Sequence, residues 1–295
     1  MDWCRVYNSM DIYKLKKEEF PKPLLEIPQP PKTLYIRGKL PDPDMIFLTV
    51  VGSRRYTSYG KEICQKIIKG LAGYPIVIVS GLAIGIDSIA HRSALDTGLT
   101  TISFPGSGLD NSVIHPRSNI HLANEIVKSG GCLISEQIPS FIATLYSFPQ
   151  RNRLMAGISK AVLIIEAEEK SGTLITARMA LDYNRDVLAV PGSAFSSNSN
   201  GTNWLIKQGA IPVTNSNDVL EALGFEIERP IQTDAEKYAD CSKEELIIIN
   251  LLREPMSRDE LIRISKMEIS QANALLSIME IKELIKEQLG EIRKN

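Results

Sequence analysis

The residues of this chain best suited to chemistry are small ones, and they recur. Gly52-Ser53, Ser80-Gly81, Gly106-Ser107-Gly108 and Ser171-Gly172-Thr173 each follow a short apolar run rich in β-branched residues. A glycine turn at a strand end leaves backbone N–H groups bare, and a helix N-terminus behind it adds partial positive charge, so such turns favour phosphate and other anions. Cations accompany them. Arg54 and Arg55 follow the first turn, Arg117 follows His115-Pro116, Arg151 and Arg153 flank Asn152, and Lys170 precedes Ser171. One such turn alone is ordinarily just a tight turn, and one such arginine ordinarily a solvated surface group. Four turns at four predicted strand ends point to a shared anion-binding rim.

Other constellations point away from catalysis. Asp87 and His91 stand four apart and share a helix face, which admits an acid–base pair. No Ser or Cys is spaced to join them as a nucleophile, so a buried pair that fixes the helix to its neighbour is expected. Glu166, Glu168 and Glu169 follow a strand and read either as catalytic carboxylates or as polar surface. Neither Gly-x-Gly-x-x-Gly nor Gly-x-x-x-x-Gly-Lys-[Ser/Thr] occurs, which counts against dinucleotide oxidoreductases and P-loop NTPases. Cys4, Cys64, Cys132 and Cys241 are dispersed, and none of the three histidines sits in a zinc pattern. Reduced thiols, no metal and no cofactor are expected.

The elements that must position the rim alternate. Strands are predicted at Thr33–Ile36, Met45–Val51, Ile76–Val79, Thr100–Phe104, Cys132–Ser135, Ala161–Ile165 and Val187–Val190, with an edge strand at Ala210–Val213. Helical spacing covers Tyr59–Leu71, the stretch through His91, Pro116–Lys128, the segment entered at Phe148-Pro149, and the segment from Thr173 through Leu181. This alternation predicts an α/β fold with a Rossmann-like, doubly wound, mostly parallel sheet over residues 33–225. Residues 1–32, with Pro21, Pro23, Pro28, Pro30 and Pro31, read as an extended, non-helical N-terminal arm. Residues 226–241 are polar and aperiodic and read as a linker. Over 242–295, Leu246–Leu252, then Asp259–Ile264 capped by Ser257, then Gln271–Glu280 capped by Ser270, precede a hairpin around Gly290, which predicts a small winged-helix domain.

With 295 residues, 43% of them hydrophobic, the chain can build one large core and a small one. No apolar run approaches the ~20 residues of a membrane span, and no leader pattern opens the chain, so a soluble cytoplasmic protein without membrane contact is expected. The net charge of -1 removes the global signature of a nucleic-acid binder, so phosphate contacts would have to come from a local patch.

Val51-Gly52-Ser53-Arg54, Ser80-Gly81-Leu82-Ala83 with Gly85-Ile86-Asp87 and Ala90-His91, Ser135-Glu136, Phe148 to Arg153, Glu166-Ala167 with Ser171-Gly172-Thr173, and Val190-Pro191-Gly192 resemble, in order, the DNA-processing protein A family (DprA, also called Smf). The resemblance covers residues 21–212. It implies a non-enzymatic protein, without cofactor, that binds single-stranded DNA on a Rossmann-like domain and loads the RecA recombinase onto incoming DNA in natural transformation; a homodimer is expected. Carried onto matching positions, DNA contacts fall on Gly52, Ser53, Arg54, Phe148, Arg151, Arg153, Ser171, Gly172 and Thr173; the strand-end glycine turn adds Gly81, and charge and position add Arg117 and Lys170. His115-Pro116 stands where the family usually has Tyr-Pro, and with about twenty residues ahead of Phe20-Pro21 the N-terminal helical domain of many members is expected to be missing. Two competitors remain. One is a nucleoside-monophosphate phosphoribohydrolase of a related fold, which needs a glutamate where this chain has Thr176. The other is a transcription regulator, weakened because Gln271–Glu280 carries no Arg or Lys to meet a DNA groove.

Overall fold

In the computed structural model, residues 11–227, 238, 241–252, 254–282, 284–288 and 290–294 are described. Residues 1–10 of the expected arm, and 228–237, 239 and 240 of the expected linker, lie outside them. The chain divides into two compact units, Met1–Ile227 and Glu228–Asn295.

The first unit runs β1 (Ile12–Lys14), α1 (Lys22–Leu25), β2 (Tyr35–Gly38), β3 (Ile46–Val51), α2 (Ser58–Gly70), β4 (Ile76–Ser80), α3 (Ile86–Asp96), β5 (Thr101–Ser103), α4 (Ile120–Lys128), β6 (Cys132–Ser135), α5 (Ser147–Ile158), β7 (Ala161–Ile164), α6 (Thr173–Asp182), β8 (Asp186–Ala189), α7 (Asn200–Lys207), β9 (Ile211–Pro212) and α8 (Ser216–Ala222). Every residue of β4 and β7 is buried. Strands covered this way need helices on both faces of the sheet. Period-two alternation sorts their side chains: Leu48, Ile76 and Ile78 pack with Ile67 of α2, Ile86 of α3 and Val219 of α8. Val77 and Val79 pack on the other side with Leu154 and Met155 of α5, Ala177 of α6 and Leu24 of α1.

The sheet order is β1-β2-β6-β5-β4-β3-β7-β8-β9. The run from β6 to β9 is parallel, and β1 and β2 add an antiparallel edge. The predicted fold class is therefore the observed one. The chain winds outward from β3 to β6 and then returns to place β7 on the other side of β3, with Val51 level with Ile164. The loops after β3 and β7 thus part at the topological switch point, where open α/β sheets form their ligand crevice.

Three local expectations are corrected. The arm is extended where β1 pairs with β2 but is not wholly non-helical: Lys17–Glu19 forms a 3-10 turn, and Lys22–Leu25 one helical turn that buries Leu24. Pro23 is tolerated there because an N–H in the first turn has no intrahelical acceptor. The third helix of the second unit is capped by Glu268, whose side chain accepts from Ser270 N, so the helix begins at Ile269 rather than after Ser270. α7 and α8 fill a stretch the sequence reading left without helices.

The second unit runs α9 (Lys243–Leu251), β10 (Met256–Ser257), α10 (Arg258–Ser265), α11 (Ile269–Ile281), β11 (Ile285–Gln288) and β12 (Glu291–Lys294). Its antiparallel sheet, β10-β12-β11, closes on Ile248, Leu261, Leu276, Met279 and Ile292, which is the winged-helix arrangement. Ser257 caps α10 as expected, accepting from Glu260 N at 3.3 Å.

Candidate functional site

A cavity of 510 Å³ opens at the switch point, walled by the β3–α2 loop, the β7–α6 loop and the first turns of α5. The β3–α2 loop is held from several directions. Gly52 packs against Ile86, where a Cβ would sit 2.8 Å from the isoleucine side chain, and Gly52 O accepts from Thr173 Oγ1 at 3.2 Å. The Ser53 hydroxyl accepts from Arg55 N at 3.0 Å, Ser53 O accepts from Ile86 N at 3.2 Å, and Arg55 O accepts from Asn198 Nδ2 at 2.6 Å. Thr57 caps α2, and both its N–H and its hydroxyl donate to Glu166, at 2.9 and 2.6 Å. Glu166 is only 2% exposed, so it is neither polar surface nor a group open to substrate: it is an anchor for this loop.

From this scaffold Arg54 reaches out exposed, its guanidinium carbon 5.6 Å from the centroid of the Phe148 ring. That is cation–π distance, so ring and charge hold one another in place. Phe148 also meets His115, with centroids 5.7 Å apart, and Gly106, whose missing side chain leaves room for the ring. Ser171, Gly172 and Thr173 line the opposite wall, and Thr173 begins α6. The Ser171 hydroxyl accepts from Thr173 N at 3.2 Å.

The predicted residues do not all converge. Gly52, Ser53, Arg54, Phe148, Arg151, Ser171, Gly172 and Thr173 line the cavity. Arg117 and Lys170 are exposed and lie outside its lining. Gly81 is buried, and its N–H donates to Asp87 Oδ2 at 3.1 Å, with Ala83 N donating to the same oxygen at 3.4 Å. The anion at the start of α3 is the chain's own carboxylate, and the anticipated phosphate contact at Gly81 is corrected accordingly.

Arg151 and Arg153 also divide. Residues two apart on a helix face in different directions. Phe148, Arg151, Asn152 and Met155 look into the cavity, whereas Arg153 turns to the arm, donating to Gln29 O at 2.7 Å and pairing with Glu136. Arg151 is only 7% exposed and forms the floor: its Nη1 donates to Phe104 O at 2.6 Å. Burial lowers its pKa to about 10, Asp87 opposes that shift, and Arg54 adds to it. The guanidinium thus remains charged at neutral pH and supplies positive potential from below, while Arg54 supplies the accessible charge.

Asp87 and His91 are both buried, as expected of a structural pair, but each serves a different partner: Asp87 the turn after β4, His91 the Thr101 hydroxyl at 2.7 Å. Burial raises the Asp87 pKa. The sequence reading missed Leu145 and Ile175 in the lining, and Asn198 behind Arg55. Two are apolar and one is a lone amide, so no charge or turn pattern marks them. Among the described residues no group of His, Cys, Asp or Glu could hold a metal ion, and no helix is long and apolar enough to cross a membrane.

A family model described as DNA recombination-mediator protein A matches residues 11–224. The chain belongs to this family. It is 42% identical over 208 residues to Protein Smf of Escherichia coli, covering 70% of this chain but only 55% of that protein. It is 39% identical over 219 residues to the DNA processing protein DprA of Streptococcus pneumoniae, covering 74% and 76%. The X-ray structure of DNA processing protein A from Streptococcus pneumoniae superposes with a TM-score of 0.66 at 36% identity over 74% of this chain and 75% of that one. A Helicobacter pylori DNA processing protein A, whose structure concerns its single-stranded DNA binding mode, superposes with a TM-score of 0.64 at 32% identity over 72% and 96%. The residues matched by the family model lie within the first unit, which carries the cavity.

Proposed function

We propose that the first unit binds single-stranded DNA along the carboxyl ends of its parallel strands, and that the protein acts as a recombination mediator that delivers the strand to RecA. The observation that carries this reading is the pairing of Arg54 with Phe148 at the mouth of the switch-point cavity. An exposed guanidinium beside a half-buried ring offers a phosphate contact and a stacking surface together, and stacking requires unpaired bases. The Helicobacter pylori relative supports the choice of ligand. The protein works as a binder rather than a catalyst: at the position where phosphoribohydrolases of related fold carry a glutamate, Thr176 is buried at the start of α6. A homodimer in the cytoplasm, active on incoming DNA in natural transformation, completes the proposal. Within the site, Arg54, Phe148, Gly52 and the Ser171–Thr173 turn make direct contact, Arg151 acts through its charge, and Ser53 shapes the loop.

The test is binding of a labelled oligothymidylate and of a duplex across a salt series. Arg54→Ala is expected to weaken single-strand binding about tenfold. It should also make the slope of log K against log salt shallower by about 0.7, the loss of one phosphate contact. The thermal midpoint should hold, because Arg54 is exposed and anchors no core. Unchanged affinity and slope, or equal binding of the duplex, would place the DNA elsewhere.

A further inference from the structure

Beyond the cavity, one side chain stands out for its exposure. Phe195, in the loop from β8 to α7, is 102% exposed relative to a free side chain. Its loop is nonetheless tied down. Phe195 N donates to Ser193 Oγ at 3.2 Å and Ser196 N to Ser193 O at 3.1 Å. Three residues on, Asn198 donates to Arg55 O at 2.6 Å and accepts from Ala167 N at 2.8 Å. The turn, fixed to its neighbours, thus displays a full aromatic face to water, a surface on which a planar group can stack.

Placement narrows the choice. Among the described residues the exposed aromatics are Tyr56, Tyr59, Tyr146, Phe195 and Trp204. Tyr56, Tyr146 and Phe195 sit on loops leaving the carboxyl ends of β3, β6 and β8, and Tyr59 lies in the first turn of α2. Only Trp204 lies away from strand-end loops and the helix start beside them, within α7. The loop 191–199 carries no charged residue, and Asn198 joins it to Arg55, the exposed arginine next to Arg54. Asn198 thus ties the Phe195 loop to the loop that carries Arg54, on the same strand-end rim as the Arg54–Phe148 pair. In the sheet β8 is two strands from β3, about 10 Å, a span of a few nucleotides.

We infer that Phe195 is a second stacking platform for unpaired bases, holding the stretch of single strand that leaves the Arg54–Phe148 cavity toward β8. This rests on the single-strand reading above and extends it to a longer footprint. A base presents a π-face whatever its identity, so the platform adds affinity without sequence preference.

The experiment uses the full chain with two oligothymidylates, one short enough to fill only the cavity and one long enough to cross the rim. Phe195→Ala is expected to weaken the long oligomer about tenfold and leave the short one unchanged. Phe195→Trp should retain affinity, and its added fluorescence, taken as the difference from the parental chain, should be quenched by the long oligomer only. Three outcomes would overturn the platform: no quenching with unchanged affinity; equal loss at both lengths, which marks a distorted loop; or a change in oligomeric mass of Phe195→Ala without DNA, which makes this face a contact between copies. Arg54→Ala is run beside it. If only Arg54→Ala weakens binding, the platform fails and the cavity reading stands; if only Phe195→Ala does so, the platform stands and the cavity reading fails.

Discussion

Thr101 has one hydroxyl proton and gives it to Ile78 O at 2.8 Å, so the 2.7 Å contact between Thr101 Oγ1 and His91 Nδ1 makes the imidazole the donor there. Nε2 is then the unprotonated nitrogen, buried and without a hydrogen-bond partner among the described residues. Adding a proton to it puts a second charge near Arg151 in a dry interior, which is why His91 is held neutral down to about pH 3 by burial first and Arg151 second. The unfolded imidazole titrates near 6.5, so the unfolded chain binds the proton more readily. Stability from the neutral ring is complete above about pH 6.5 and is lost as pH falls toward about 3, with about 2 kcal/mol gone at about pH 5. Asp87, its pKa raised by burial, acts in the opposite sense and offsets part of this. Urea unfolding at neutral pH and near pH 5 should show a larger loss for the parental chain than for His91→Gln; equal losses would assign the acid sensitivity to other groups. The same scale shows what residue type alone conveys. Arg54, Arg151 and Arg153 look alike in the sequence, yet one is exposed, one forms a floor and one leaves for the arm. Helix phase separates the last two, and it is readable once α5 is known to begin at Ser147. Burial of Arg151 is not readable, because it depends on Phe104 and Gly81 arriving from other strands.

At the scale of elements, β-branched runs and glycine turns made the parallel strands legible, since both signals are local. The predicted strand Cys132–Ser135 has its observed bounds, and Ile76–Val79 falls one residue short. What escaped was decided by partners. β1 is three residues that become a strand only by pairing with β2, and α7 opens on polar Asn200-Gly201-Thr202-Asn203 with no apolar period. The glycine turns also proved unequal in use. Gly81 gives its N–H to Asp87, and Gly106 provides space: a Cβ there would lie 2.6 Å from Phe148 Cδ1. Gly106→Ala must therefore push the ring from its place beside Arg54, without backbone strain of its own. Single-strand affinity should fall about tenfold, by the loss of one stacked base. In combination with Phe148→Ala the alanine should cost little more, because both changes remove one interaction. Additive losses in that cycle would show that Gly106 acts through something other than the ring.

At the scale of the whole molecule, the family match ends at residue 224, within the first unit, and the second unit has to be argued from its own surface. Residues 241–295 hold nine Lys and Arg against ten Asp and Glu, a balance that gives no attraction to a polyanion. Several of the charges are already engaged with one another: Arg258 bridges Glu280 and Glu287 at 3.1 and 2.9 Å, and Lys282 reaches the buried Glu245 at 2.8 Å. The helix that would enter a groove, α11, exposes Ile269, Ile278 and Ile281 and carries no Arg or Lys. Phosphate contacts dominate DNA affinity, so a domain presenting a helix that carries no cation adds little to it. Apolar exposure of this kind suits a protein surface instead. Truncation after Arg229 should accordingly leave the affinity of the first unit for an oligothymidylate within about threefold, or roughly 0.7 kcal/mol, with the same salt slope. A loss of tenfold or more, accompanied by a shallower slope, would mean that cations of the second unit touch the strand.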